Sequence, residues 1–233
     1  MWRDLDPGTC QSLSGKRAVG KGKNDWVGGG FRVSSGNYFS ILEAEQFTLY
    51  SVADYLELEE LSEVKHEYLG GTIHAMSGAW RRHNEIAGNV YRKIIPQLSG
   101  GPCKTYIEGV KVHIRTEVSD FFYYPDVVIG CDPSDSHEQY LEKPSIIFEV
   151  TSPGTESTDR REKLLAYQTL ESLNHYLIVS QDQMRVEWLR RAGDHWEVLK
   201  LTKKGDCIDF VEPEARLSLE EIYEGIVFDP VEE

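Results

Sequence analysis

Asp126 lies within YYPDVVIG (residues 123–130) and Glu149 within SIIFEV (residues 145–150), two short runs of apolar residues bounded by turn formers. Runs of that length and composition read as buried strands. An ionised acid placed inside one is costly unless it is paired or bound to a metal. If the two strands are neighbours, both carboxylates converge at one end of a sheet. Two or three such oxygens are the surroundings that Mg²⁺ or Mn²⁺ prefers, with water completing the octahedron. A metal there lowers the pKa of a bound water and stabilises charge on a phosphoryl oxygen, which is what phosphodiester hydrolysis needs. Asp126 directly after Pro125 equally suits a turn cap.

A cation follows both acids. In TSPGTESTDRREKLLAY (residues 151–167), Asp159, Lys163 and Tyr167 recur every four residues and share a helical face. Asp159, with Glu162 three residues on, suits the helix start. Lys163 could make an ordinary surface ion pair or enter the site, and Arg160 is a candidate for phosphate contact. Tyr167 reads first as a packing residue. His83 reads as a structural histidine near the start of an earlier helix that could also position phosphate or water, and no other histidines show metal-ligand spacing.

These side chains need a frame. Ser51 and Asp54 resemble a capping box for a helix ending near residues 61–63. HEYLGGTIHAM (residues 66–76) reads as a hairpin turning at Gly70-Gly71. Ile86, Val90 and Ile94 mark a helix over residues 80–98, with Pro96 near its end. CKTYIEGVKVHI (residues 103–114) and residues 123–130 are each expected as one strand, with EVSD turning between them. After SIIFEV, a helix from Asp159 to about Ser172 leads to three strands, HYLIVS, MRVEWLRR and HWEVLKL, and a short terminal helix. The order implies an α/β or α+β domain with a mixed sheet.

The chain has 233 residues and a net charge of −14, enough for one domain with a sizeable core. Residues 1–40 hold six basic and three acidic side chains, a net +3, so the remainder carries −17. Residues 1–45, rich in Gly and Ser, are expected to be a disordered extension to a single domain over residues 46–233; a basic arm touching DNA is the lesser reading. No apolar run reaches the length of a membrane span and no signal core is visible, so a cytoplasmic location is the expectation. Cys10, Cys103, Cys131 and Cys207 show no ligand spacing and are expected to be free thiols. An acidic chain lacks the usual footprint of a nucleic-acid binder, so any DNA contact must rest on local features or on a metal.

PD (Pro125-Asp126), about twenty residues and then an acid in a strand (Glu149) resembles the PD-(D/E)XK nuclease pattern. The wider set EYLGGTIHAMSG, PDVVI, IIFEVTSPGTESTDRREKLLAY and HYLIVS resembles the Uma2 family, also called DUF820, over roughly residues 48–200. The resemblance implies a restriction-endonuclease-like core, a central mixed β-sheet flanked by helices. It also implies metal-dependent DNA cleavage that leaves 5′-phosphate and 3′-hydroxyl ends. In it Asp126, Glu149 and Glu67 hold the metal, and Lys163 completes the catalytic set. One position departs: two residues after Glu149, where the pattern has lysine, stands Thr151, which cannot hold charge near a scissile phosphate. Lys163, one element later, is the natural substitute if its ammonium comes within about 4 Å of the two strand acids, the reach of an ion pair. A homodimer would suit cleavage of both strands. The rival reading is a nuclease fold that has lost cleavage and serves as a binding module, and a third is hydrolysis of another phosphoester.

Overall fold

A computed structural model describes residues 48–76, 78–151 and 159–228, with the side chains of 159–161 excepted. The proposed extension over residues 1–45 lies outside the described residues, as do the TSPG turn after Thr151 and any part for Asp159 or Arg160.

Helix α1 (Val52–Leu61) starts where the capping box predicts: Asp54 N donates to Ser51 Oγ at 3.2 Å, and Ser51 N donates to Asp54 Oδ2 at 3.0 Å. Strands β1 (His66–Leu69) and β2 (Thr72–Ala75) form the expected hairpin. Gly70 and Gly71 turn it at φ of +56° and +103°, and a Cβ on Gly71 would stand 3.0 Å from Leu49. Helix α2 (Arg81–Leu98) buries Ile86, Ala87, Val90, Ile94 and Leu98 along one stripe.

The next two expectations are corrected. Residues 103–114 are two strands, β3 (Lys104–Ile107) and β4 (Lys111–Arg115), broken at Glu108, whose φ is +45°. The second apolar run is likewise divided between β5 (Asp120–Tyr123) and β6 (Val127–Gly130), at Pro125, which has no N–H for a ladder. At each break the chain crosses between sheets. A short β7 (Tyr140–Leu141), β8 (Pro144–Thr151), helix α3 (Asp159–Gln168) and strands β9 (His175–Ser180), β10 (Val186–Ala192) and β11 (His195–Leu201) follow. A hairpin of β12 (Cys207–Phe210) and β13 (Ala215–Ser218), unread in the sequence, precedes the short α4 (Leu219–Ile222). Helix α3 stops at Gln168, short of Ser172, and Arg191 holds the chain there: its Nη2 donates to Gln168 O at 3.3 Å and, just past the helix, to Leu170 O at 2.7 Å.

The central sheet runs β11-β10-β9-β8-β6-β3 and is mixed, since β8 and β9 are parallel and its other pairs antiparallel. A second sheet runs β2-β1-β5-β4-β7. Alternation divides the central sheet between two cores. Val127, Ile129, Ile146, Phe148 and Val150 pack with α2. Val128, Ile147, Tyr176 and Ile178 pack with Ala166 and Tyr167 of α3 and with the second sheet. Glu149 shares the parity of Ile147 and therefore faces α3.

The expectation of free thiols fails: none of the described cysteines is free, and Cys103 and Cys131 form a disulfide. They stand one step beyond the Lys104–Gly130 pair of β3 and β6. Cross-strand neighbours 28 residues apart in sequence leave no local spacing to read.

Buried His175 accepts the Trp188 indole N–H at Nδ1, 3.2 Å away. Burial, reinforced by Arg190, pushes its pKa down to about 4. An unfolded histidine titrates near ~6.5, so on acidification the unfolded chain takes the proton first. This contribution to stability is whole above about pH 6.5 and is lost progressively as pH falls through about 4, on the order of 2 kcal/mol. Chemical denaturation between those pH values should show that loss, and His175→Gln should flatten it.

Candidate active site

Three elements meet over the α3 face of the central sheet. Pairing of Val127 with Phe148 puts Asp126, one residue before β6, opposite Glu149 of β8. Asp126 Oδ2 accepts the Val150 N–H at 2.6 Å, and its Oδ1 lies 2.8 Å from His83 Nε2, in the first turn of α2. From α3, Tyr167 donates its hydroxyl to Glu149 Oε1 at 3.1 Å. Lys163 Nζ stands 3.7 Å from that same oxygen and 2.7 Å from Glu67 Oε1 on β1. Glu67, His83, Asp126, Glu149 and Lys163 line a cleft of about 550 Å³, together with Thr72, His74 and Thr151.

The geometric condition set by the sequence is met for one of the two acids: the Lys163 ammonium lies within ion-pair reach of Glu149, while no ion pair with Asp126 forms among the described residues. Thr151 stands in the cleft, but its Oγ1 is buried with no hydrogen-bond partner among the described residues and brings no charge. Glu67, placed with the metal by the family resemblance, has its carboxylate 2.7 Å from Lys163 Nζ. Among the described residues no three His, Cys, Asp or Glu side chains are grouped to hold a metal ion. His83, read as structural or as positioning phosphate or water, hydrogen-bonds Asp126. Its only sequence signal was a place at the start of a helix, and the contact spans 43 residues. Tyr167 both packs and bonds to Glu149, and its spacing from Lys163 was the signal.

The electrostatics follow from burial. Burial raises the pKa of Glu149; Lys163 opposes the shift, while Asp126 and Glu67 add to it. Burial also works against the charge on Lys163, but Glu149 and Glu67 outweigh it and hold the ammonium's pKa above its ordinary value. Burial disfavours charged His83 as well, yet its hydrogen bond to Asp126 leaves the pKa raised. Three carboxylates thus face one ammonium and one imidazole. Glu149 Oε2 takes no hydrogen bond from the described residues. This donor set fits a small divalent cation: two carboxylates from adjacent strands, with the remaining positions left to water and substrate oxygens, is how Mg²⁺ is commonly bound.

Tyr167→Phe keeps the ring that fills the α3 core and removes only the bond to Glu149. We expect a stability loss of about 1 kcal/mol in denaturant unfolding, with the secondary structure unchanged. A neutral result would show that Glu149 does not depend on that hydroxyl.

Residues 52–229 match the Uma2 family, described as "Putative restriction endonuclease". Two Synechocystis sp. (strain ATCC 27184 / PCC 6803 / Kazusa) proteins are similar. Uncharacterized protein slr1290 is 30% identical over 184 residues, covering 78% of this chain and 95% of its own length. Uncharacterized protein sll1609 is 29% identical over 164 residues, covering 69% and 92%. The crystal structure of a "putative nuclease belonging to DUF820" from Anabaena variabilis ATCC 29413 superposes with a TM-score of 0.60 at 16% identity, over 73% of this chain and 96% of that one. That likeness shows a shared fold.

Proposed function

The chain belongs to the Uma2 family, and from that premise we propose that it is a metal-dependent DNA endonuclease. The observation that carries this reading is the convergence of Asp126 and Glu149 in register, with Lys163 Nζ 3.7 Å from Glu149. A Mg²⁺ or Mn²⁺ ion held by Asp126 and Glu149 would supply Lewis acidity toward a phosphodiester oxygen and lower the pKa of an attacking water.

The chain's own groups do the rest. His83 and the Val150 N–H fix both oxygens of Asp126, and Tyr167 orients Glu149. Lys163 is kept protonated by its carboxylate neighbours, so it binds negative charge and does not accept a proton. It stands where charge grows on the phosphoryl group as water bonds to phosphorus and the P–O3′ bond breaks. Glu67 holds Lys163 in place. A fixed ammonium from α3 thereby substitutes for the lysine that Thr151 lacks.

The test is conversion of supercoiled plasmid by the purified full chain. Nicking in Mg²⁺ or Mn²⁺ that stops with EDTA is expected, and cleavage unaffected by EDTA would overturn the metal assignment. Thr151 and the close Glu67–Lys163 pair favour one second reading, a binding module without cleavage. Millimolar Mg²⁺ or Mn²⁺ separates the two, because a cation that binds the folded state raises the thermal midpoint by mass action. No shift and no nicking would favour the module.

A further inference from the structure

Helix α1 packs through Tyr55 on Tyr68 and Phe122, and so covers the face of the second sheet opposite to Glu67. Glu59 of this helix has a side chain only 5% exposed, and it does not line the cleft. Among the described residues its carboxylate pairs with no lysine or arginine. A buried acid without a close cation must be held by hydrogen bonds. Three reach it. Oε1 accepts the His66 backbone N–H at 2.9 Å and stands 2.8 Å from His66 Nδ1, which donates because an ionised carboxylate only accepts. Oε2 accepts the Tyr124 hydroxyl at 2.6 Å.

Both donor residues adjoin the candidate active site. His66 directly precedes Glu67, the partner of Lys163, and α1 grips it once more: Tyr55 donates its hydroxyl to His66 O at 2.8 Å. Tyr124 is separated from Asp126 by Pro125 alone. Proline fixes its own φ, and the residue before it is confined to extended conformations. An anchored Tyr124 ring therefore leaves few free torsions on the path to the Asp126 carboxylate. A backbone route runs beside it: Lys65 Nζ donates to Glu108 O at 2.6 Å, and Glu108 N donates to Asp126 O at 3.0 Å. Glu108 keeps that bond at a φ of +45°, which few residues other than glycine adopt. Lys65 and Lys111 stand 5.5 and 5.6 Å from the centre of the Tyr124 ring. Lys111 is itself buried; burial lowers its pKa, and Glu59 works against that drop. Glu59 thus supports Tyr124 by charge as well as by hydrogen bond.

We infer, on the endonuclease reading above, that Glu59 is a positioning residue for the metal-binding site. One buried carboxylate on α1 sets Asp126 through Tyr124 and sets the Glu67–Lys163 pair through His66. A cation held by two protein carboxylates depends on how firmly each is aimed, and losing an outer partner of a ligand commonly costs tenfold or more in metal affinity or activity.

The test is a Mn²⁺ titration of the full chain, followed both by the rise in thermal midpoint and by plasmid nicking. Tyr124→Phe keeps the ring beside the two lysines and removes only the bond to Glu59. It should raise the Mn²⁺ concentration for half-maximal response about tenfold, and saturating Mn²⁺ should restore nicking to near the wild-type rate. Glu59→Gln releases both arms, because an amide offers one oxygen where three donors point. It should raise that concentration as much and also lower the saturated rate about tenfold, a loss that added metal does not repair. Circular dichroism should show both variants folded, and Tyr124→Phe carries the test alone if Glu59→Gln does not fold. A purely structural contact would lower the midpoint without metal and leave the half-maximal concentration unchanged; that result for Tyr124→Phe overturns the inference. If the wild type responds to metal and both variants match it, the nuclease reading stands without this role. A wild type showing neither rise nor nicking would remove the nuclease reading and this role together.

Discussion

Asp126→Asn should lower the rate of DNA cleavage at saturating Mg²⁺ by about three orders of magnitude, equivalent to about 4 kcal/mol. Asparagine keeps the shape of the side chain and a carbonyl that can accept from Val150 N, the 2.6 Å bond that ties Asp126 to β8. What it removes is the charge that a divalent cation requires. Alanine would also leave that bond unmade, at about 1 kcal/mol of stability, which would confuse folding with catalysis. Circular dichroism and thermal melting should show Asp126→Asn folded, and the Mg²⁺-induced rise in its midpoint should shrink with its activity. Cleavage at the wild-type rate would remove Asp126 from the site.

Lys163→Met gives the second large effect, and it is twofold. Activity should fall about a hundredfold, as when one preorganised electrostatic group is lost. Stability should also fall, because Glu67 and Glu149, whose side chains are 15% and 11% exposed, lose their shared counter-ion. Removing one partner of a buried ion pair costs about 3–5 kcal/mol. That penalty has a sign in pH: without the ammonium, which holds it down, the folded-state pKa of Glu149 rises further. The folded variant then holds a proton that the unfolded chain has released, and stability declines as pH increases from about 5 to 8. Added Mg²⁺ should stabilise the variant more than wild type if the cation shares this cluster. Denaturant titrations at several pH values check both statements. A variant as stable as wild type at pH 8 would mean that Lys163 is not the counter-charge of this cluster.

The side chains behind these two effects were unequally visible in the sequence. Asp126 and Glu149 were legible because a charge inside a β-branched run is anomalous wherever the strand lies. The capping box at Ser51, the glycine turn at residues 70–71 and the apolar stripe of α2 are local signals, and each appears in the structure. Both strand divisions were missed, since apolar alternation continues through a break in the backbone. The Cys103–Cys131 bridge escaped for a related reason: it depends on which strands pair.

The sequence by itself determined the family, the mixed α/β character and the identity of the acids, all written in short-range pattern and motif. It also raised Lys163 as the cation, because an i, i+4 face is fixed by helical geometry. Only the tertiary structure decided which partners the acids take. The antiparallel register of β6 and β8 set Asp126 opposite Glu149, and the packing of α3 laid Lys163 between Glu149 and Glu67. The approach of α2 brought His83 to Asp126. Those contacts join residues 14 to 96 positions apart, a separation at which no local periodicity survives and only the closing of the fold sets the distance.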